Sequence, residues 1–162
     1  GAHAAIKSAA ARTKRTLILF ISLLCEWFKK SVKVKKYLIT GSGYALRSTL
    51  AAESVSLTYS DGYYTTADEI PENMLWTYQN GYLYTTYNGR TYYLTVQRSF
   101  NSYTLTTTTS SWWASTWSYQ SGKLTTKINE GRRQTTRYLN ISNSSVSLSS
   151  QGSSITLYQL AE

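Results

Sequence analysis

Acidic side chains are the first candidates for chemistry, because paired carboxylates serve in acid–base catalysis and in cation binding. Asp68, Glu69 and Glu72 cluster in one polar stretch around Pro71, the only proline. This spacing is typical of a solvated turn, and a weak cation site is the alternative. The chain has no Gly-rich phosphate loop, no Gly-x-Ser-x-Gly motif and no Cys-x-x-Cys motif. The sequence therefore predicts a protein that is not an enzyme and that needs no metal or cofactor.

Cysteine and histidine each occur once, as Cys25 and His3. One cysteine cannot form a disulfide within the chain, so no disulfide scaffold is predicted. A histidine-based metal cage or catalytic triad would have to use a residue at the chain terminus. These two residue types therefore offer no chemistry on which a site could be built.

Aromatic side chains are better candidates for binding. Trp112 and Trp113 lie outside the alternating strand pattern in a Ser- and Thr-rich stretch, and Tyr63 and Tyr64 form a second pair. Such rings stack on ligands or pack in protein interfaces. The alternative is that they only cover the surface of a small barrel. We take Trp112, Trp113, Tyr63 and Tyr64 as the candidate ligand-contacting aromatics.

The positive charge is concentrated near the beginning of the chain. The first 36 residues carry about +8 of the net charge of +9, and all fifteen tyrosines lie at or after Tyr37. This break in composition predicts two parts. Residues 1–36 form a basic amphipathic helical arm, and residues 37–162 form an all-β domain.

The arm separates into two faces on a helical wheel. Its basic face comprises Arg12, Arg15, Lys29, Lys30 and Lys33. Its apolar contact face comprises Leu17, Phe20, Ile21, Leu24, Trp27 and Phe28. The apolar run covers about 12 residues, fewer than the ~20 that span a bilayer as a helix. The breadth of the apolar face favours burial against the β-domain or against other copies of the chain. A membrane-surface helix is one alternative, and a signal peptide or signal anchor is the other.

The β-domain contains an internal repeat. The pattern Trp-x4-Gly-x-Leu begins at Trp76 and again at Trp117, 41 residues later. Tyr-Leu pairs recur at Tyr37-Leu38, Tyr93-Leu94 and Tyr138-Leu139. Together with the alternating hydrophobic pattern, this predicts three units of about 40 residues, each with four short strands. Trp76, Trp117 and the repeated leucines are the predicted core.

Three four-stranded units of this length resemble a β-trefoil. The Trp and Tyr-Leu rhythm over residues 37–162 is similar to the ricin-B-like branch, in which Gln-x-Trp and Cys-Leu-Asp motifs recur. The resemblance implies a barrel with three-fold internal symmetry and suggests sugar binding. The positions that match the family's aspartate are Ile39, Thr95 and Asn140. Only Asn140 has a side-chain amide that could hold a sugar hydroxyl.

Three functions follow as expectations. The first is a non-enzymatic assembly or surface protein, whose arm anchors it to other subunits or to a membrane while the head is displayed, at an extracellular or cell surface. The second is a glycan-binding, lectin-like module. The third is a structural protein that binds nucleic acid through the basic arm, although the arm mixes its cations with a large apolar face.

Overall fold

The computed structural model describes residues 34–54, 59–60, 63–64 and 70–160. A single compact unit begins at Lys35. The predicted helical arm, with its basic and apolar faces, lies outside the described residues except for its last positions. Of these, Lys36 already opens the first β-strand.

Within these residues the chain forms fourteen β-strands and two short 3-10 turns. The first seven strands are β1 (Lys36–Gly41), β2 (Tyr44–Leu46), β3 (Ala52–Ser54), β4 (Tyr59–Ser60), β5 (Tyr63–Tyr64), β6 (Trp76–Gln79) and β7 (Tyr82–Tyr87). The others are β8 (Arg90–Ser99), β9 (Ser102–Thr108), β10 (Trp117–Gln120), β11 (Lys123–Glu130), β12 (Arg133–Ser142), β13 (Ser145–Ser149) and β14 (Thr156–Leu160). The 3-10 turns are Glu72–Met74 and Ser111–Trp113. The predicted all-β class is confirmed.

The described strands form two sheets. The larger has ten strands in the order β4-β5-β14-β1-β6-β7-β8-β9, with β2 and β3 branching from β1, and the smaller has the order β10-β11-β12-β13. Strand β1 pairs with β14 along one edge, while its other edge is shared by β6 and β2. A bridge between Ala51 and Ser145 connects the two sheets.

Tight hairpins follow from the turn dipeptides. Asn80-Gly81 joins β6 to β7 with φ angles of 54° and 82°, and Ser121-Gly122 joins β10 to β11 with 53° and 71°. Positive φ at both central residues defines the type I′ turn, whose twist matches that of paired strands. These dipeptides therefore fix the register of the two hairpins that carry the repeated tryptophans.

The core lies under the repeated residues. Trp76, Leu94, Trp117 and Leu139 are buried in one cluster with Ile155. The indole of Trp76 donates a hydrogen bond to the Leu46 carbonyl (2.9 Å), so its one polar atom is satisfied without water. Burial of Trp76, Trp117, Leu94 and Leu139 agrees with the prediction that they form the core, whereas Ile155 was not predicted.

The predicted β-trefoil is wrong. Two segments do form four consecutive strands, β6–β9 and β10–β13, but they belong to different sheets. The rest of the described chain does not give a third set of four consecutive strands: β14 and β1, from opposite ends of the domain, pair with each other, β1 continues through β2 to β3, and β5 adds to β14 in parallel. The repeated motifs specify local hairpins, whereas the pairing of the chain ends depends on contacts across more than a hundred residues. The repeat therefore predicts the local hairpins correctly but does not predict how the domain closes.

Candidate functional site

Two tryptophans stand out on the surface of the domain. Trp112 is 91% exposed and Trp113 is 81% exposed, and both lie in the 3-10 turn that follows β9. The turn is closed by backbone bonds from Trp113 N–H to the Ser110 carbonyl (3.4 Å) and from Ala114 N–H to the Ser111 carbonyl (3.3 Å). Exposing two adjacent indoles to water forgoes the stabilisation that their burial would contribute. An exposed apolar patch of this kind is typical of a binding site.

A hydroxyl network holds this turn against strand β8. The Thr95 hydroxyl donates to the Trp113 carbonyl (3.0 Å), and Ser115 N–H donates back to the Thr95 hydroxyl (3.0 Å). The Ser115 hydroxyl accepts from Val96 N–H (3.0 Å) and lies 3.1 Å from the Thr95 hydroxyl. Thr95 is only 4% exposed, so these bonds are largely shielded from water. The position of the Trp113 backbone is therefore fixed by β8.

The end of the loop is anchored in the core. Trp117 is buried, and its indole donates to the Leu94 carbonyl (3.0 Å). Its backbone N–H donates to the Gly81 carbonyl (2.7 Å), and its carbonyl accepts from the Tyr78 hydroxyl (2.8 Å). The loop of residues 109–116, which we call the tryptophan loop, thus ends at a rigid point four residues after Trp113.

A second loop of the fold is held in the same way. Asn140 follows Tyr138-Leu139 as Thr95 follows Tyr93-Leu94, and its side-chain oxygen accepts from Ser153 N–H (2.7 Å). Ile155 N–H donates to the Gly122 carbonyl (2.7 Å), and the Ile155 carbonyl accepts from the Tyr119 hydroxyl (2.8 Å). We call this segment, residues 150–154, the serine loop, because its sequence is Ser-Gln-Gly-Ser-Ser. It contains no aromatic residue.

The amide of Asn140, the position that the resemblance suggested for a sugar hydroxyl, is already bonded within the chain. The Asn140 amide nitrogen donates to the Ser149 hydroxyl and to the Gln151 carbonyl, while its oxygen serves Ser153. Thr95, the matching position in the other unit, is likewise used by the tryptophan loop. These side chains therefore hold loops and are not available for a ligand.

A groove of about 410 Å³ opens beside Trp113. The groove is lined by the Trp113 ring and by residues of strands β8 and β9, most of which are polar. The lining residues are Thr95, Val96, Gln97, Arg98, Thr106, Thr107, Thr108 and Trp113. Most of these side chains carry a hydroxyl, amide or guanidinium group, so the groove offers hydrogen bonds next to one flat apolar surface.

The groove includes a free stretch of strand edge. Strand β8 pairs with β7 only over Arg90–Tyr93, whereas it pairs with β9 as far as Ser99. On the open side, Val96 N–H meets the Ser115 hydroxyl. Because backbone groups alternate between the two edges with a period of two, the N–H of Arg98 also faces this open side. The strand thus adds backbone polar groups to those of the side chains.

The remaining sequence candidates lie elsewhere in the chain or outside the described side chains. Tyr63–Tyr64 form strand β5, which pairs with β4 and β14. Asp68 and Glu69 lie outside the described residues, while Glu72 opens the first 3-10 turn and its carbonyl accepts from the Thr85 hydroxyl. Among residues 34–54 and 70–160, no three potential metal ligands come together.

The tyrosines of β7 and β8 pack on one another instead of forming a separate platform. The Tyr93 ring lies 6.0 Å from the Tyr82 ring and 5.3 Å from the Tyr84 ring, measured between centroids. Burial raises the pKa of Tyr84, and the neighbouring Tyr93 adds to the rise, while a hydrogen bond from Thr77 opposes it. The cluster is therefore best explained as cross-strand packing.

Sequence reasoning found the two tryptophans but missed the groove residues. Gln97 and Arg98 carry no signal of their own in the sequence, because exposed polar strand residues are common in any β-protein. The repeat does place Thr95 after Tyr93-Leu94, but it gives no sign that the Thr95 hydroxyl bonds to Ser115 and to the Trp113 backbone.

Comparisons of the chain with protein-family models, with curated proteins and with solved structures find no match. In the part of the chain that the structure describes, no helix has the length and apolar character to cross a membrane.

Proposed function

We propose that this protein is a non-enzymatic carbohydrate-binding module, and that it holds its ligand in the groove beside Trp113. The observation that carries the proposal is the near-complete exposure of Trp112 and Trp113 on a loop whose backbone is fixed. The serine loop is anchored by equivalent bonds without any aromatic residue. The fold therefore does not need these two indoles, and a ligand is the simplest reason for their presence.

The lining of the groove suits a sugar. One face of a pyranose ring presents aliphatic C–H groups that pack on an indole, while its hydroxyls require several donors and acceptors around the edge. Trp113 supplies the flat surface, and Thr106, Thr108 and Gln97 supply polar groups beside it. An apolar peptide side chain would leave these polar groups without partners, at a cost for each buried group.

The fixed backbone of the tryptophan loop favours affinity. A loop that orders only upon binding loses conformational entropy at that step, which weakens the complex. Here the bonds from Thr95 and Ser115 already hold the loop before any ligand arrives. The site is therefore preorganised.

The assembly function predicted from the arm stays a prediction, because residues 1–33 lie outside the described part of the chain. The same holds for nucleic-acid binding through the arm. Neither excludes a sugar-binding head, since an arm that gathers several heads would raise the avidity of weak single sites.

A glycan screen of the full chain tests the proposal. Wild type is compared with Trp113→Ala and with Phe100→Asn, each confirmed as folded by circular dichroism. Phe100 is a matched control because it is 95% exposed, lies in the β8–β9 turn and does not line the groove. Asparagine tolerates the positive φ of 48° at that position.

We expect wild type and Phe100→Asn to bind the same glycans, and Trp113→Ala to lose at least about tenfold in affinity, the size of a buried hot-spot aromatic. A screen in which no glycan binds, or in which Trp113→Ala binds as well as wild type, contradicts the proposal.

A further inference from the structure

The groove beside Trp113 has an unbalanced charge. Of the described residues that line it, Arg98 is the one with a formal charge, and none is a carboxylate. A groove that binds only neutral sugars has no need of a guanidinium, because hydroxyl and amide groups satisfy sugar hydroxyls at a lower desolvation cost. The presence of the Arg98 guanidinium therefore suggests that the ligand carries a negative charge.

Within the described residues, Arg98 lacks the ion pair that holds Arg47 and Arg137. Arg47 pairs with Glu53, and Arg137 pairs with Glu130 at 2.8 Å, where the Thr135 hydroxyl also meets the carboxylate. No described carboxylate lies within ion-pair distance of Arg98, which is exposed near the end of β8. Its five N–H donors remain open to an anion.

We propose that the groove selects acidic oligosaccharides, with Arg98 binding a carboxylate or sulfate group while Trp113 packs on the ring of the same or the adjacent sugar. This inference rests on the proposed function and specifies its ligand class. A planar guanidinium matches the two oxygens of a carboxylate or sulfate with a pair of parallel hydrogen bonds. The neighbouring Gln97 and Thr106 are then left for uncharged hydroxyls.

A nucleic acid fits the groove less well. Each nucleotide brings a phosphate, so a groove that follows a strand of nucleic acid is lined by several cations. The part of this groove that the structure describes has one cation among eight lining residues. One anionic group accompanied by many hydroxyls is the composition of an acidic sugar.

The test uses the full chain and three probes. 3′-Sialyllactose carries one carboxylate among its hydroxyls, its methyl ester has the same sugars without the charge, and 3′-sulfolactose carries one sulfate group. Affinities are measured by calorimetry at low salt for wild type, Arg98→Gln, Trp113→Ala and Arg90→Gln. Arg90 is the matched control, since it is an exposed arginine of the same strand outside the groove.

We expect wild type to bind at least one acidic probe about tenfold more tightly than the methyl ester, as one charge-assisted pair would give. Arg98→Gln should remove that preference and keep the affinity for the ester, whereas Arg90→Gln should behave as wild type. Trp113→Ala should weaken binding of every probe. The acidic probe that wild type prefers tells whether carboxylate or sulfate is the natural group.

Other results overturn the inference and leave the proposed function to be judged separately. Equal affinity for the acids and the ester, with both lost in Trp113→Ala, means that the groove binds sugars without charge selection. An acid preference that persists in Arg98→Gln means that the charge is read elsewhere. Tighter binding of an oligothymidylate than of any sugar, or no binding of any probe, also overturns it; the glycan screen then decides whether the proposed function falls as well.

Discussion

The tryptophan loop and the serine loop occupy equivalent places in the two four-stranded units, yet they carry different side chains. Each loop leads into the first strand of the next segment, β10 or β14, and each is pinned by the residue that follows a Tyr-Leu pair. Each ends at a buried apolar residue, Trp117 or Ile155, whose backbone is held by a glycine carbonyl and a tyrosine hydroxyl. Only the tryptophan loop displays large rings to water.

The hydrogen bonds that the two loops share can thus be told apart from the tryptophan side chains that only one loop carries. Bonds that recur in both loops belong to the architecture, because each loop needs them in order to reach the next strand. Trp112 and Trp113 do not recur, so stability does not explain them. Thr95, Ser115 and Trp117 therefore anchor the loop, and the exposed rings are left for the proposed recognition of a ligand.

The largest expected effect is the difference in stability between a substitution at the buried Trp117 and one at the exposed Trp113. Trp117→Ala removes a buried indole and leaves the Leu94 carbonyl without its donor, so we expect the free energy of unfolding to fall by about 3–5 kcal/mol. Trp113→Ala removes only an exposed ring, and we expect a change within about 0.5 kcal/mol. Urea unfolding followed by far-UV circular dichroism measures both.

Equal destabilisation by the two substitutions would contradict the distinction between an anchoring Trp117 and an exposed Trp113 that stability does not require. In that case the Trp113 ring would contribute to the core of the folded state, and its exposure could not be attributed to ligand binding.

A smaller effect is expected at the residues that pin the loops. Thr95→Val leaves the Ser115 N–H and the Trp113 carbonyl without the hydroxyl, and Asn140→Ala removes the acceptor of the Ser153 N–H. We expect each to lower the free energy of unfolding by about 1–3 kcal/mol, the cost of unsatisfied polar groups. Only Thr95→Val should also weaken glycan binding, because only that residue orders the tryptophan loop.

The control for these two substitutions is Thr104→Val on strand β9, an exposed threonine that does not line the groove. Valine is well suited to a strand, so stability should hardly change. If Asn140→Ala weakened glycan binding as much as Thr95→Val did, the two loops would not be functionally distinct.

Local features of the fold were predictable from the sequence. Asn80-Gly81 and Ser121-Gly122 marked tight hairpins, and Trp76 and Trp117 five residues before each glycine marked the buried strand starts. These signals act over a few residues, so a single sequence contains them. The exposure of Trp112 and Trp113 also followed from their position outside the alternating pattern.

The long-range features were not predictable. The pairing of Leu38 with Tyr158 joins residues from the two ends of the domain, and the parallel pairing of β5 with β14 has no sequence motif. The role of Thr95 depends on its contact with Ser115, twenty residues later, on a loop of irregular structure. Such contacts arise from how the hairpins pack together, which the repeat alone does not encode.

Nuclear magnetic resonance of the five indole N–H groups tests the division of roles most directly. The indoles of Trp76 and Trp117 donate to buried carbonyls, so their protons should exchange slowly with water, while those of Trp112 and Trp113 should exchange fast. Titration of the full chain with a glycan found in the screen should shift the Trp112 and Trp113 signals and leave those of Trp76 and Trp117 in place. Slow exchange at Trp113, or a titration that shifts the buried indoles and spares the exposed pair, would contradict the account.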